Sequence, residues 1–528
     1  MSHLSILFFF YLISIVTLVL SQPSPPQGIL IDCGALNTST IEGQQWVPDT
    51  DYISVGVSKA IEIPDVIPIL ANVRSFPLIG GGGDRKQKKF CYSIPVWRNW
   101  KYLIRTTYYY GGVNGGDFDL PPVFDQIVDG TIWTVVNTTE EYVRGLSSYY
   151  EGVFVARGRS MSVCIGVNTY TDSDPFISAL EVIVLGDSLY NTTDFTKYGL
   201  SLVARNNFGY EDSIVRFPDD AFDRYWEPYG DSNPIIQSVR NVSSSDFWNL
   251  PPSNVFDTAL TADEGKPMEL QWPPVSLPKS LYYVALYCAG SRDSTSRSSR
   301  TFDVDVNGIK YYRKLKVTPS GVVVFATRWP LSGLTNITLT PATGSKGSPL
   351  INAGEIFSLL PLGGRTIARD VIALEGVKSS LQNPPADWNG DPCMPLGYSW
   401  TGVTCSSKRN RIRVTSLNLS NMDLSGTISP SVANLTALTK IMLANNNLTG
   451  PVPDLSSLRV LQRLHLQNNQ LTGTIPSSLG AIGSLRELFI QNNLLTGQVP
   501  NNLKQKPGLS FRFSPGNNFS SASPSSRT

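Results

Sequence analysis

The sequence predicts a mainly β protein: two consecutive β-sandwiches followed by a short, capped solenoid of repeats. Three observations carry this. Short β-branched or aromatic runs, separated by Gly, Pro and Asn turn signals, fill residues 28 to 362 without long helical periodicity. A leucine pattern then recurs with starts at Val414, Leu438, Leu461, Leu485 and Leu509. The 528 residues, 16% charged and 10% aromatic, have the composition of a chain that buries surface, well below the roughly 25% charge of ordinary globular chains. At roughly 100–200 residues per domain, the length allows about three domains.

At the N-terminus, Leu4 to Leu20 is almost wholly apolar and leads into Ser21-Gln22-Pro23. That run is shorter than the about 20 residues a membrane span needs, and Val19 and Ser21 suit the −3 and −1 positions of a cleavage site. Residues 1–21 are therefore expected to be a secretory signal peptide, the alternative being an uncleaved signal anchor. No other stretch reads as a span. The product is expected to be secreted, or held at the plasma membrane through a partner or an uncleaved leader. Nine N-x-S/T sequons, at Asn37, Asn137, Asn191, Asn241, Asn336, Asn418, Asn434, Asn447 and Asn518, fit secretion and mark expected glycosylation sites.

Residues 28–362 should form the two sandwiches, about 28–190 and 197–362. Candidate strands include Tyr102 to Tyr110, Thr131 to Val136, Ser162 to Val167, Leu180 to Leu185, Tyr282 to Tyr287 and Phe302 to Val306. An internal echo supports a tandem. The aromatic strand 102–110 precedes Phe124-Asp125, and the aromatic strand 282–287 precedes Phe302-Asp303. Each half closes with an apolar strand, Ser178 to Ile183 and Ile351 to Ile356.

Residues 363–413 read as a cap. Ile367 to Leu381 has helical spacing, and Trp388 to Cys393 and Trp400 to Cys405 would staple the open end of the array. Cys393 and Cys405 are isolated from the other cysteines and should pair with each other. The other four allow three connectivities; Cys33 and Cys91 are expected to pair, leaving Cys164 and Cys288 reduced and buried.

Residues 414–519 follow L-x-x-L-x-L-x-x-N-x-L, as in Leu461/Leu464/Leu466/Asn469/Leu471, each copy trailed by a variant of T-G-x-[IV]-P. This is a leucine-rich repeat solenoid of the plant type. Its leucines fill a shared core and its asparagines satisfy backbone groups at the turn after each strand. The end copies are degenerate, with Met422 in place of the Asn and Arg512 and Ser514 at core-type positions. The outward strand residues Lys440, Met442 and Ala444, Arg463, His465 and Gln467, and Glu487, Phe489 and Gln491 make a candidate partner-binding strip, chiefly Lys440, Met442, Arg463, His465, Glu487 and Phe489. A glycan on Asn418 would cover one end. The polar tail, 520–528, is expected to be disordered.

Charge and composition exclude several classes. Forty-three basic against 42 acidic residues leave no basic face for nucleic acid. With His3 in the leader, His465 stands alone, which rules out a multi-histidine metal site and leaves no nucleophile–base pair. No cofactor is expected. Asp219, Asp220 and Asp223 are the one tight acidic cluster near aromatics, but Pro218-Asp219-Asp220 reads as a backbone-capping loop and Asp223-Arg224 as a local ion pair. The glycines at 80–83 and Gly265-Lys266 lack the phosphate-loop pattern. Arg85, Lys86, Lys88 and Lys89 read as a solvated loop. Tyr108, Tyr109, Tyr110, Asp117 and Asp125, beside a glycine-rich turn, are the candidate sugar site, since sugar faces stack on rings and carboxylates hold hydroxyls.

Specific motifs sharpen the fold. Ile31-Asp32-Cys33-Gly34, Arg74-Ser75-Phe76-Pro77, Cys91-Tyr92, Pro175 to Glu181, Arg216 to Trp226 and the Trp388 to Cys393 junction together resemble plant malectin-like domains. Over roughly residues 28 to 519 the chain is similar to the ectodomains of malectin-like, leucine-rich-repeat receptor kinases and receptor-like proteins. The resemblance implies tandem malectin-like sandwiches, related to a diglucose-binding animal lectin, in a family many of whose plant members bind peptides or other proteins. The functional expectation is a non-enzymatic recognition protein that binds a cell-wall carbohydrate, an extracellular peptide or a membrane receptor kinase, and lacks a signalling domain of its own. The alternative is a repeat-based inhibitor of microbial cell-wall-degrading enzymes.

Overall fold

Strands in the N-terminal region bury alternate residues on opposite faces, as a period of two requires. In Lys101–Tyr108, Tyr102, Ile104 and Tyr108 enter one core while Leu103 enters another. A computed structural model of the chain describes residues 27–78, 89–115, 120–237, 242–290, 300–318, 320–345, 347–408 and 411–520. The expected leader, Asn241, Asp117 and the tail from 521 lie outside the described residues.

The two sandwiches share a sheet. One continuous sheet runs through both: Ser39–Ile41, Gln44–Pro48, Gly28–Asp32, Ala179–Leu185, Lys101–Tyr108, Ser148–Val155, Tyr198–Phe208, Ala353–Pro361, Leu277–Cys288, Val322–Gly333. The junction is Gly152 opposite Ser201 and Val153 opposite Leu200. Tyr198–Phe208 is 11 residues long, enough to meet the first half at its start and Ala353–Pro361 along its length, so neither half is left with an open edge there. Close approach is possible because Gly152 has no side chain; a Cβ there would stand 2.9 Å from the Leu200 carbonyl oxygen.

A four-stranded sheet covers each half. Lys89–Pro95, Ser160–Gly166, Phe124–Val128 and Thr131–Val136 close the first core, and Met268–Gln271, Asn336–Pro341, Arg300–Val306 and Ile309–Val317 close the second. A third cluster, including Trp46, Trp226, Tyr287 and Phe357, packs on the opposite face of the shared sheet.

The cysteine pairing differs from expectation. Cys91 is bonded to Cys164, its direct partner across two antiparallel strands, while Cys33 and Cys288 are buried free thiols. The 73 residues between Cys91 and Cys164 hide this register from sequence spacing. The Cys393–Cys405 disulfide is present.

In the cap, Ala368–Lys378 is the helix, and the indoles of Trp388 and Trp400 stack at 5.1 Å over the end of the leucine core. The repeats place Arg411–Asn418, Lys440–Met442, Arg463–His465, Glu487–Phe489 and Ser510–Arg512 in one parallel sheet, with Val403–Lys408 antiparallel at the cap end. The asparagines behave as anticipated. Asn469 donates to the carbonyls of Leu443 and Leu466 and accepts from the Leu448 N–H. In the degenerate last copy, Asn517 takes the same role toward Leu495 and Ile490. Gly450, Gly473 and Gly497 have φ of 76°, 78° and 79°, which explains glycine at that position in each copy.

The cap is seated on the first sandwich. The Tyr398 hydroxyl donates to Asp125 at 2.6 Å, and its ring packs with Ile127 against the Cys91–Cys164 disulfide. Lys89, expected in a solvated loop, is buried and donates to the carbonyls of Asp391 and Met394. Burial pulls its ammonium down to about 8, against the raising influence of Asp391 and Asp387.

Candidate functional site

The expected sugar site does not assemble. Tyr108 and Tyr110 are each only 1% exposed; Tyr108 sits edge-on to Phe124 and Phe176, and Tyr110 to Tyr142. Alternation on the strand turns these rings inward, so neither offers a face to a ligand. Tyr109 is half-buried and its N–H is held by Ser178 Oγ. Asp125 is committed to Tyr398 and Asn168, which makes it an interdomain pin. The acidic cluster also separates. Asp220 accepts from Arg224 and the Trp226 indole, Asp223 pairs with Arg216 in place of its neighbour Arg224, and Asp219 is exposed.

The repeat strip does assemble. Met442, His465, Phe489 and Arg512 form one row across four strands, and Lys440, Arg463 and Glu487 form the next. The His465 imidazole stacks on Phe489 at 4.4 Å and contacts Glu487 at 2.9 Å. Arg463 meets the other Glu487 oxygen at 3.1 Å, and Arg512 lies 4.6 Å from the Phe489 centroid. The strip is a knitted surface with an aromatic centre. Ala444 falls outside it, buried beyond the strand end.

Sequence reasoning missed the polar heart of the sandwiches. Five charges placed inside strands, Arg105, Glu151, Glu181, Arg205 and Glu355, are all at most 2% exposed. Arg105 bridges Glu151 at 2.9 Å and Glu181 at 2.7 Å. Arg205 bridges Glu151 and Glu355, each at 2.7 Å. The chain of ions thus crosses the junction between the halves. Tyr190 and Tyr287 donate to Glu355, and Arg105 also lies 3.7 Å from Asp223. Burial pushes the Glu151 carboxyl up, but Arg205 and Arg105 outweigh it and hold it below the usual carboxylate range. Glu181 behaves oppositely: burial drives it up to about 7, with Asp223 adding to the rise against Arg105. The detectable signal was a charge of either sign inside a strand, the sole one in four of the five strands.

Glu181 forms part of the wall of a cavity of about 620 Å³ at this end of the network. The hairpin Ser39–Ile41/Gln44–Pro48 forms one side, with Ser39 directly opposite Trp46; Tyr149, Tyr225 and Arg216 form the other. Tyr225 is gripped between guanidiniums, Arg105 at 3.6 Å and Arg216 at 4.7 Å. Arg216 is committed to Asp223 at 2.9 Å and to Glu42 at 3.2 Å. Two buried polar atoms on this wall, Ser39 Oγ and Trp46 Nε1, have no hydrogen-bond partner in the protein. A buried donor without a partner is costly, on the order of 1–3 kcal/mol. Among the described residues no group of His, Cys, Asp or Glu is arranged to hold a metal, and no helix is long and apolar enough to cross a membrane.

Comparison with known proteins places these features. Residues 31–359 match the malectin-like domain model, 367–406 the leucine-rich repeat N-terminal domain and 460–482 a leucine-rich repeat. The leucine-rich repeat receptor-like serine/threonine-protein kinase At2g14510 of Arabidopsis thaliana is 34% identical over 442 residues, 80% of this chain and 49% of that protein. The probable kinase At1g67720 of the same plant is 30% identical, over 84% of this chain and 48% of its own length. The chain spans about half the length of these curated relatives. Among solved structures, the ANX2 ectodomain of Arabidopsis thaliana superposes with a TM-score of 0.51 at 16% identity, covering 63% of this chain and 97% of that one. A chain from the complex of the plant peptide RALF23 with FER and LLG2 gives 0.51 at 14%, covering 64% and 96%. At these identities the structures establish a shared fold.

Proposed function

Since the chain belongs to the malectin-like family, joined to leucine-rich repeats as in its receptor-like kinase relatives, we propose that it is a non-enzymatic, extracellular recognition module whose cleft beside the shared sheet receives a peptide or protein ligand. One observation carries this reading: a cavity of about 620 Å³ over an ionic floor, two of whose lining residues, Ser39 and Trp46, each carry a buried polar atom that finds no partner in the protein. Fixed charges beneath an incompletely paired wall suit recognition, because the protein reorganises little when the ligand arrives. The burial of Tyr108 and Tyr110 argues against a stacked sugar at the position first considered. A peptide or receptor partner also accords with the structural neighbour described in complex with the peptide RALF23. The knitted repeat strip is the second contact surface. The eight described sequon asparagines are all exposed, as an extracellular glycoprotein requires.

The test is affinity capture from plant extracellular fluid with the wild-type chain, Ser147→Trp and Phe489→Ala in parallel. Ser147 is an exposed residue on the cavity rim, so an indole there obstructs the cleft. A ligand retained by the wild type and lost with Ser147→Trp supports the cleft; retention by all three chains equally refutes it.

A further inference from the structure

Among the described residues, the ionic network beneath the cleft is not charge-balanced. Five buried carboxylates, Glu151, Glu181, Asp220, Asp223 and Glu355, face four guanidiniums, those of Arg105, Arg205, Arg216 and Arg224. The surplus can be located. Glu151 is held by two arginines, and Glu355 by Arg205 and two tyrosine hydroxyls. Asp220 has Arg224 and the Trp226 indole, and Asp223 has both donors of the Arg216 fork. Glu181 has Arg105 alone, and Arg105 is shared with Glu151 and Asp223. The under-compensated carboxylate is therefore the one on the cavity wall. At the rim, exposed Glu42 adds a further negative charge, and Arg216, the one cation lining the cavity among the described residues, is already engaged by Asp223 and Glu42.

Resting on the cleft reading above, we propose that this cavity takes a cationic side chain of a peptide, an arginine or lysine, set against Glu181 with Glu42 at the entrance, while the peptide backbone meets Trp46 Nε1 and Ser39 Oγ. Each part of such a ligand has a counterpart. The cation supplies the charge that the network lacks, and a guanidinium can also lie along the rings of Tyr149 and Trp46. A backbone carbonyl accepts from the indole N–H, and the Ser39 hydroxyl serves either role. A neutral sugar could engage the two unpaired atoms but would leave the surplus carboxylate uncompensated. An anionic ligand would add to the repulsion.

The full chain is titrated, by calorimetry and saturation-transfer NMR, with N-acetyl-arginine methylamide, its uncharged citrulline analogue and cellobiose. The arginine probe should bind at least tenfold more tightly than the citrulline probe. Glu181→Gln should abolish that preference while the protein melts no lower than the wild type, since the exchange balances the network; Glu42→Gln should reduce the preference by a smaller factor. Equal binding of the arginine and citrulline probes, or a preference that survives Glu181→Gln, overturns the cationic assignment. Should Glu181→Gln fail to fold, the citrulline comparison and Glu42→Gln still decide. Binding of cellobiose alone, blocked by Ser147→Trp, overturns the cationic assignment and the peptide ligand, and leaves only the cleft as the place of binding. Binding of no probe, or arginine binding indifferent to Ser147→Trp, overturns both.

Discussion

In the repeat array each strand meets only the repeats before and after it, and the polar group that goes inside, the asparagine, is satisfied by backbone atoms of those neighbours. In the sandwiches, strands as distant as Lys101–Tyr108 and Ala353–Pro361 share one sheet, and the polar groups inside are full charges contributed from several of them. The two regions bury polar atoms by opposite routes. The array repeats a local, neutral solution, whereas the sandwiches hold one long-range ionic solution that has no spare copy. Damage to the array should therefore stay graded and local, and damage to the network should spread across both halves.

The largest effect should come from Glu151→Gln, which removes the carboxylate shared by Arg105 and Arg205 and leaves two buried guanidiniums short of a partner. A loss of about 3–5 kcal/mol is expected. Hydrogen exchange should show both sandwiches losing protection while the repeats keep theirs; exchange confined to the first half would break the picture of one shared network. Asn469→Ala takes the acceptor from the Leu448 N–H and leaves the Leu443 and Leu466 carbonyls with only the donors of Asn446 and Asn493; it should cost about 1–3 kcal/mol, with lost protection limited to the adjoining repeats.

Tyr398→Phe removes the hydroxyl donated to Asp125 and should cost about 1–2 kcal/mol, read as a lower melting temperature with the repeats still folded. The smallest effect is a slope in pH. The folded-state value of Glu181 lies near 7, above its ordinary 4.5, so its protonated form favours the folded state. That contribution is complete below about 4.5 and is lost as pH rises through 7. The melting temperature of Glu181→Gln minus that of the wild type should accordingly grow between pH 4.5 and 7. A constant difference would show that Glu181 does not titrate there.

How legible each region was in the sequence follows from the same contrast. The leucines and asparagines of the array recur at fixed spacing, so Asn446, Asn469 and Asn493 could be given their role before any strand was placed. The cap was legible for a similar reason, its cysteines and tryptophans lying within one short segment. Short strands in residues 28–362 were legible from composition, but their partners were not. Cys91 was matched to Cys33 because nothing in the spacing reveals that it lies opposite Cys164. The tyrosines at 108–110 looked like a ligand platform because a sequence does not show which parity of a strand faces the core. The cleft was invisible because Ser39, Trp46, Tyr149, Glu181 and Arg216 come together only through long-range pairing.

The seating of the cap on the first sandwich, through Tyr398, Lys89 and the packing of Gly390 against the Cys91–Cys164 disulfide, has a consequence for avidity. Cleft and repeat strip are carried on one joined body, so a partner that occupies the cleft presents the rest of itself to the strip at an effective concentration set by its own tether, with no freely swinging linker to dilute it. On the proposed two-contact reading, two individually weak contacts would then suffice for a long-lived complex, and a partner whose tether has the wrong span would be rejected by length, however well either end fits.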